Sequence, residues 1–490
     1  MPQMTINENV YMVENGVLLK EVLGRFGVVF PCGGNGVCGK CKVRISGDIS
    51  PITEAEKRLL TDADIAGGIR LACFTRVLGD CRMALLPVDT PRIFSVTDDA
   101  KKVDGRFSYG VAVDIGTTTV AAVMYDGNGR NLATASMANP QIVYGADVLS
   151  RAQAASMGKG AELSTSICRC IDDLLHQLCV RSGVNAEGIQ NVVIIGNTAM
   201  LCMLTETSVT GLLRAPFHSS CLFGEFMALP HKSFSALSQD SRVYLPRCMD
   251  AFLGADFVCA MQAVNLTAAK DTVLLVDIGT NGEMALWHNG QLFACSTAAG
   301  PAFEGVGISC GMVAAPGAID SVKVVNHSLL VHAIDDGKPR GICGSGLIDT
   351  VACLLDLDEL DKHGVLTVEK YPLSEHVWLS REDVQALLVS KSAICSGLES
   401  LCHAAGVLPD DVTRVYVAGG FGSSLNLHNA VRIGLFPEVW EGRILSVGNA
   451  ALEGAAQILF DQKDDLPPFN RIELATDAFF AESFIRNMQF

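Results

Sequence analysis

Apolar runs that stop at the same kind of turn give the chain its clearest pattern. Val113-Asp114-Ile115-Gly116-Thr117-Thr118-Thr119 closes one such run and leads into another, VAAVMY. Val276-Asp277-Ile278-Gly279-Thr280-Asn281-Gly282 follows TVLL and leads into EMALW, 163 residues later counted from Asp to Asp. Each reads as a buried strand that carries an Asp to its end, turns on glycine, and returns as a second strand. A third run, Val415-Tyr416-Val417-Ala418, ends in Gly419-Gly420-Phe421-Gly422-Ser423-Ser424, a glycine-rich turn before a helix. Between these lie FLGADFVCAM (252–261) and GNAALEGA (448–455), expected as connecting helices, and the strand NVVIIGN, whose Asn197-Thr198 opens the helix AMLCML. NPQIVYGADVLSRAQAA (139–155) predicts a loop running into a helix. TAAGPAFEGVGISCGM (297–312) and GICGSGLIDTVACLL (341–355) place small residues at helix entrances. At Gly344-Ser345-Gly346 a phosphate or ribose contact and tight helix packing are both open.

The N-terminal pattern is different. A strand-like VYMVENG precedes an amphipathic helix, VLLKEVLGRFG. The strands CKVRISG and DCRMALLP follow, and the opening hairpin looks short. Residues 87–106 lose apolar periodicity and gain Pro, Asp and Lys, the mark of a linker. The expected division is therefore a module at 1–86, a linker at 87–106, and a region at 107–490 in two halves, about 107–270 and 271–490. A chain of 490 residues is too long for a single core, which agrees.

Charge sharpens that division. Residues 1–90 hold ten basic and ten acidic residues, so the whole net charge of −16 falls on the rest. An acidic region of this size argues against a nucleic-acid partner. No apolar run approaches the roughly 20 residues that span a bilayer, and MPQMTINENV has neither a basic n-region nor an apolar h-region. A cytoplasmic enzyme with no membrane contact is expected. Its 18 cysteines then read as reduced thiols or metal ligands rather than disulfides.

The Asp-Gly hairpins suit phosphate chemistry. Backbone N–H groups and small side chains at such a turn can hold phosphate oxygens, while the Asp faces a magnesium ion with its water shell. The order hairpin, hairpin, Gly-Gly turn resembles the superfamily of actin, hexokinase and the large heat-shock chaperones. That resemblance implies a duplicated α/β, ribonuclease-H-like ATPase fold. Gly116, Thr117, Thr118, Gly279, Thr280, Asn281 and Gly282 are then expected at the phosphates, and Gly419, Gly420, Phe421 and Gly422 at the adenosine. Asp256, 21 residues before Asp277, matches the carboxylate that this superfamily often carries on its first connecting helix. Asp114, Asp256 and Asp277 become the expected catalytic set around Mg2+ and ATP. A strand-end cap is the plainer reading of any one Asp taken alone.

Cysteines mark the first module. Cys32, Cys38 and Cys41 share a glycine-rich loop and Cys73 follows in RLACFTR, a C-x5-C-x2-C-x31-C spacing. Three thiolates on one loop with one remote thiolate suit a 2Fe–2S cluster. The plant-type loop is one residue shorter, C-x4-C-x2-C, so this one resembles the adrenodoxin-like ferredoxins and implies a β-grasp fold. Four cysteines can also bind zinc, although zinc sites usually present two knuckle pairs. Cys81, Cys168, Cys170, Cys202 and Cys395 lack partners at ligand spacing and are expected in cores.

A ferredoxin module joined to such an ATPase resembles the ATP-dependent reductive activators of corrinoid proteins. CGGNGVCGKCKV, VDIGTTT, NPQ-YGADVLSR, IIGNTAM, STAAGPAFEG, GICGSGLID and VAGGFG all carry the likeness. It implies one-electron transfer from a low-potential donor through the cluster to the Co(II) of a corrinoid protein, giving Co(I), coupled to ATP hydrolysis. A plant-type centre lies near about −400 mV. A cobalt couple ~100 mV lower makes transfer uphill by roughly 2.3 kcal/mol. Longer members carry an extra segment after the ferredoxin, so a homodimer is compatible with the likeness but does not follow from it. Two other functions use the same motifs. A small-molecule kinase of hexokinase type would need a second substrate pocket and leaves the ferredoxin unexplained. An electron-transfer subunit would keep the ATPase fold without turnover. Lys40, Lys42 and Arg44 after the loop, with Arg70 and Arg76 around Cys73, form an expected basic rim for an acidic partner.

Overall fold

In the strand Lys42–Ile49 the side chains of Val43 and Ile45 are buried while Arg44 and Ser46 face out, the alternation of a sheet with one wet face. The computed structural model describes residues 1–6, 9–23, 36, 39, 41–85, 107–145, 147–227, 234–238, 240–422, 424–461 and 466–490. Cys32, Cys38, Lys40, Ser423 and the expected linker lie outside these residues.

The first module holds β1 (Gln3–Ile6), β2 (Asn9–Met12), α1 (Leu19–Leu23), β3 (Lys42–Ile49), α2 (Glu54–Lys57), α3 (Asp62–Ala66), β4 (Ile69–Leu71) and β5 (Val77–Leu85). Its sheet runs β2-β1-β5-β3-β4, with β1 and β5 parallel at the centre and the other pairs antiparallel. This is a β-grasp, and the short opening hairpin is present. Met4, Ile6, Leu19, Leu23, Val43, Ile45, Leu71, Val77, Cys81 and Met83 fill its core, so Cys81 is the core thiol expected.

The larger region repeats one topology. Its first half has β6 (Tyr109–Ile115), β7 (Thr119–Asp126), β8 (Asn131–Ala138), α4 (Val148–Ala154), α5 (Gly160–Ser182), β9 (Ile189–Gly196), α6 (Thr198–Leu204), β10 (Glu225–Phe226), β11 (Arg242–Leu245) and α7 (Ala255–Ala263). β6, β7 and β8 pair antiparallel, β9 joins β6 in parallel, and β11 joins β9 in parallel.

The second half has β12 (Val273–Ile278), β13 (Gly282–His288) and β14 (Gln291–Thr297), then β15 (Ala318–Val325), β16 (Ser328–Ala333) and β17 (Gly341–Ile342) in a small separate sheet. There follow α8 (Gly344–Asp356), β18 (Lys370–Pro372), β19 (Trp378–Ser380), α9 (Arg381–Ala405), β20 (Arg414–Ala418), α10 (Gly419–Gly422), α11 (Leu427–Arg432), β21 (Ile444–Gly448), α12 (Ala450–Asp461), β22 (Phe469–Arg471) and α13 (Ala478–Arg486). Again three strands pair antiparallel, β12-β13-β14, and two more, β20 and β21, extend the sheet in parallel from β12. The repeat in sequence is thus a repeat in topology.

Burial explains where the Asp residues stop. Val111, Ala112 and Val113 are fully buried in β6, and Leu274, Leu275 and Val276 in β12, so a charged residue fits only at the strand end, where the sheet opens to a cleft. α12 crosses between halves. Its Ala451, Leu452, Ala455, Ile458 and Leu459 join the first half's core, while Ala450 packs with Phe257 and Val258 of α7. Gly454 allows that approach, since a Cβ there would lie 1.9 Å from the Cys259 carbonyl oxygen. Cys168, Cys170, Cys202 and Cys395 are buried in the cores as expected.

Two local expectations change and a third keeps both its readings. The 297–312 stretch forms only a 3-10 turn, Pro301–Glu304, rather than a helix entrance. The Gly-Gly turn is itself a helical turn, α10. At 344–346 both readings stand: a Cβ on Gly346 would lie 2.1 Å from Ile319 O and one on Gly344 2.0 Å from Phe303 O, while Gly344 and Ser345 also line the cleft.

Candidate active site

Both hairpins open into one cleft of about 380 Å³ between the halves. Its lining includes Asp114, Gly116, Thr117 and Thr118 from the first hairpin, and Asp277, Gly279, Thr280 and Asn281 from the second. Asp256 of α7 and Gly419, Gly420 and Phe421 of α10 complete the set that the sequence pointed to. Gly282 and Gly422 are not among the lining residues. A Cβ on Gly282 would lie 2.2 Å from Ile394 Cδ1, and one on Gly422 would lie 2.8 Å from Val417 Cγ1, so packing accounts for both.

The floor of the cleft is a group of carboxylates drawn from both halves. Burial, then the charges of Asp256 and Asp277, pushes Asp114 up to about 8, opposed by a hydrogen bond from Asn449. Asp256 is pushed up to about 7, mainly by burial and also by Asp277, while the Phe257 N–H, 2.8 Å from its Oδ1, opposes the shift. Burial alone raises Asp277 to about 6. Each keeps some opening to the cleft while lying well beneath the surface. Like charges held this way favour protonation unless a cation joins them, and oxygen ligands of this kind suit Mg2+.

Each hairpin turn is braced from behind. Asn139 Nδ2 donates to Gly116 O at 2.8 Å, and Asn139 N donates to Thr118 O at 2.9 Å. On the other side Glu304 Oε1 accepts from Thr280 N at 3.0 Å and from Thr280 Oγ1 at 2.9 Å. Arg151, fully buried, donates from Nε to Gly145 O at 2.8 Å, and its charge and that of Glu304 favour each other's ionised form. The NPQ and GPAFEG stretches therefore hold the two turns, and Phe303 and Glu304 of the second also line the cleft.

α10 ties the third motif to the second. Gly419 has φ +88°, and a Cβ there would lie 2.4 Å from Asp277 Oδ1, so glycine is required on both grounds. Phe421 packs on Phe303 with ring centroids 5.0 Å apart at 34°, which presents a flat apolar wall.

Sequence reasoning missed Asn449, Glu283, Asn139 and Glu304. Asn449 accepts from Leu452 N at 3.0 Å and so caps α12 while it reaches Asp114. Its place before AALEGA was a cap signal. Glu283 stands directly across the β12–β13 ladder from Asp277, which alternation along the hairpin could have given. The bracing of Asn139 and Glu304 had no sequence signal.

In the first module Cys41 and Cys73 are brought together, their Sγ atoms 3.3 Å apart and their residues 2% and 9% exposed. Gly36 and Gly39 have φ +73° and +65°, and a Cβ on Gly36 would lie 2.5 Å from the Phe74 ring. At both described positions the backbone therefore needs the conformation that glycine permits. Cys32 and Cys38, the other expected ligands, lie outside the described residues. Arg70 departs from the expected basic rim. Its Nε and a terminal nitrogen bond both oxygens of buried Glu56 at 2.8 and 2.9 Å, and Lys42 pairs with Asp64 at 2.8 Å. The Arg70 charge, neutralised in the core, steers no partner, whereas Lys42 is paired at the surface.

Three family models match along the chain: a 2Fe-2S iron-sulfur cluster binding domain over residues 5–78, the RACo middle region over 109–269, and the C-terminal ASKHA domain of RACo over 271–490. The corrinoid activation enzyme RamQ of Eubacterium limosum is 30% identical over 424 residues, 78% of this chain and 70% of that protein. A reductase of the Co(II) methylated amine-specific corrinoid protein, from Methanosarcina barkeri, is 23% identical across 72% of this chain and 70% of its own. Among solved structures, a reductive activator for corrinoid, iron-sulfur protein superposes with a TM-score of 0.71 at 23% identity, covering 100% of this chain and 98% of that one. That likeness shows the fold. Among the described residues no helix is long and apolar enough to cross a membrane.

Proposed function

Because the chain belongs to the family of corrinoid activation enzymes, we propose that its cleft binds Mg2+ and ATP and that Cys32, Cys38, Cys41 and Cys73 hold a 2Fe–2S cluster. The reaction is ATP-dependent reductive activation of a corrinoid protein. One electron from a low-potential donor returns the cobalt from Co(II) to Co(I), coupled to ATP hydrolysis. The meeting of Asp114, Asp256 and Asp277 from both halves, between two copies of one phosphate turn, carries the ATPase part of this reading.

Each group has work that its position suits. Asp114, Asp256 and Asp277 hold magnesium through its water shell, and the cation offsets the burial that raises all three and the repulsion that adds to it at Asp114 and Asp256. Backbone N–H groups of 116–118 and 279–281, with the Thr117, Thr118 and Thr280 hydroxyls and the Asn281 amide, receive the phosphates from opposite sides. Gly419, Gly420 and Phe421 receive the adenosine, where absent side chains let a flat ring approach. Positioning and charge stabilisation then carry hydrolysis. Cys41 and Cys73, with Cys32 and Cys38, hold the cluster, which supplies a one-electron relay when bound.

A sugar kinase would use the same cleft, and the paired thiols at Cys41 and Cys73 give it no role. The test is ATP turnover by the anaerobically purified protein, with and without a Co(II) corrinoid protein and with a panel of sugars. Stimulation by the corrinoid protein is expected. Phosphorylation of a sugar with no response to the corrinoid protein would replace this reading with the kinase.

A further inference from the structure

The two hairpins are copies that differ beside the Asp. In the first, Asp114 stands across the ladder from Ala121; in the second, Asp277 stands across from Glu283. Residues directly opposite in an antiparallel pair point to the same face with Cβ atoms about 4.5–5.5 Å apart. Ala121 and Glu283 therefore occupy matching places, and both line the cleft. The second turn is also one residue shorter, since Ile115 pairs with Val120 but Ile278 pairs with Gly282.

Glu283 is 8% exposed, and among the described residues no hydrogen bond or ion pair reaches its carboxylate. It shares the site with Asp256 and Asp277, which repel it. A buried carboxylate without a partner costs stability, and the first half shows that this position tolerates alanine. Packing therefore gives no reason for Glu283, and a polar ligand in the cleft does.

Resting on the ATPase reading above, we infer that Glu283 is a catalytic residue that accepts a hydrogen bond from the attacking water and aims it at the γ-phosphate. A bond forms from the water oxygen to the γ-phosphorus as the bond from that phosphorus to the bridging oxygen of ADP breaks. The bridging oxygen leaves with the electron pair; one proton of the water passes through the Glu283 carboxylate and the other stays on the attacking oxygen, so both end on the released inorganic phosphate. The duplicated fold thus has one half that only binds and one half that also orients the nucleophile.

The experiment uses the full-length protein with its cluster and compares wild type, Glu283→Gln and Glu283→Asp. Binding of a fluorescent non-hydrolysable ATP analogue, single-turnover hydrolysis of ATP, and the Mg2+ concentration for half-maximal rate are measured together. For Glu283→Gln hydrolysis falls about 10²-fold or more, while nucleotide affinity stays within about threefold. The Mg2+ requirement and the cluster spectrum do not move, and Glu283→Asp is intermediate. A Glu283→Gln rate close to wild type overturns the assignment. So does a loss of affinity that parallels the loss of rate, or a raised Mg2+ requirement, which would make Glu283 a part of the metal's shell. A wild-type protein that binds ATP and never hydrolyses it overturns the ATPase reading itself.

Discussion

Asp114, Asp256 and Asp277 are costly residues in the empty protein. Their ordinary value is 3.8, and burial, joined by repulsion at Asp114 and Asp256, raises them to about 8, 7 and 6. The folded state therefore binds protons that the unfolded chain has released, and stability falls as pH rises through this range. Without nucleotide, the ATPase module is predicted to unfold at a higher temperature near pH 5 than near pH 8. Mg2+ with ATP should recover most of the difference at pH 8, because a ligand that binds only the folded state stabilises it. Asp114→Asn should flatten the pH slope and raise the midpoint at pH 8 while lowering hydrolysis sharply. Thermal unfolding at the two pH values checks this. A slope that Asp114→Asn leaves unchanged contradicts the assignment. Asp114 and Asp277 were legible as the ends of two matching aliphatic runs, and Asp256 through its place on a connecting helix to which the superfamily likeness pointed. Asn449 and Glu283 were not read, since each depends on a neighbour across a helix cap or a ladder rather than along the chain.

Among the elements, strands with unbroken aliphatic runs were the most legible, and the short pieces were the least. α2 is a four-residue helix whose sequence, EAEK, looks wholly solvated. Yet Glu56 is fully buried, bonds Arg70 through both oxygens, and accepts from Leu71 N at 2.8 Å. That set fixes β4 two residues before Cys73. Tertiary pairing decided it, and a charge count could not. Removing one partner of a buried pair typically costs ~3–5 kcal/mol. Glu56→Ala is therefore predicted to destabilise the first module by about that amount and to speed loss of the cluster's visible absorbance on warming. Nucleotide binding in the other module should stay close to wild type. A cluster as thermostable as the wild type's would contradict the role given to this pair. In the large region the same lesson holds for the NPQ and GPAFEG stretches, whose likeness to a family was visible but whose work, bracing the two turns, was not.

At the scale of the whole molecule, the cluster module must meet a partner while the cleft holds nucleotide. With Arg70 and Lys42 engaged by Glu56 and Asp64, Arg44 is an exposed cation of the expected rim. Rim charges act mainly on the encounter rate and are screened by salt. Activation of the corrinoid protein should slow as ionic strength rises. Arg44→Glu should slow it further at low salt, whereas Arg70→Lys should act through stability rather than through the salt slope. Rates that ignore both salt and Arg44→Glu would place docking elsewhere.

The central claim is that one chain couples ATP hydrolysis to one-electron reduction of cobalt. The most direct measurement follows Co(II) to Co(I) conversion of a corrinoid protein by anaerobic absorbance, with a reductant too weak to complete it alone. Wild type, Cys73→Ala and Asp277→Asn are compared, each with and without Mg2+ and ATP. The account predicts Co(I) accumulation only for the wild type with ATP, an intact cluster spectrum in Asp277→Asn, and ATP binding retained in Cys73→Ala. Full Co(I) formation by the wild type without ATP, or by Cys73→Ala with it, would contradict the account.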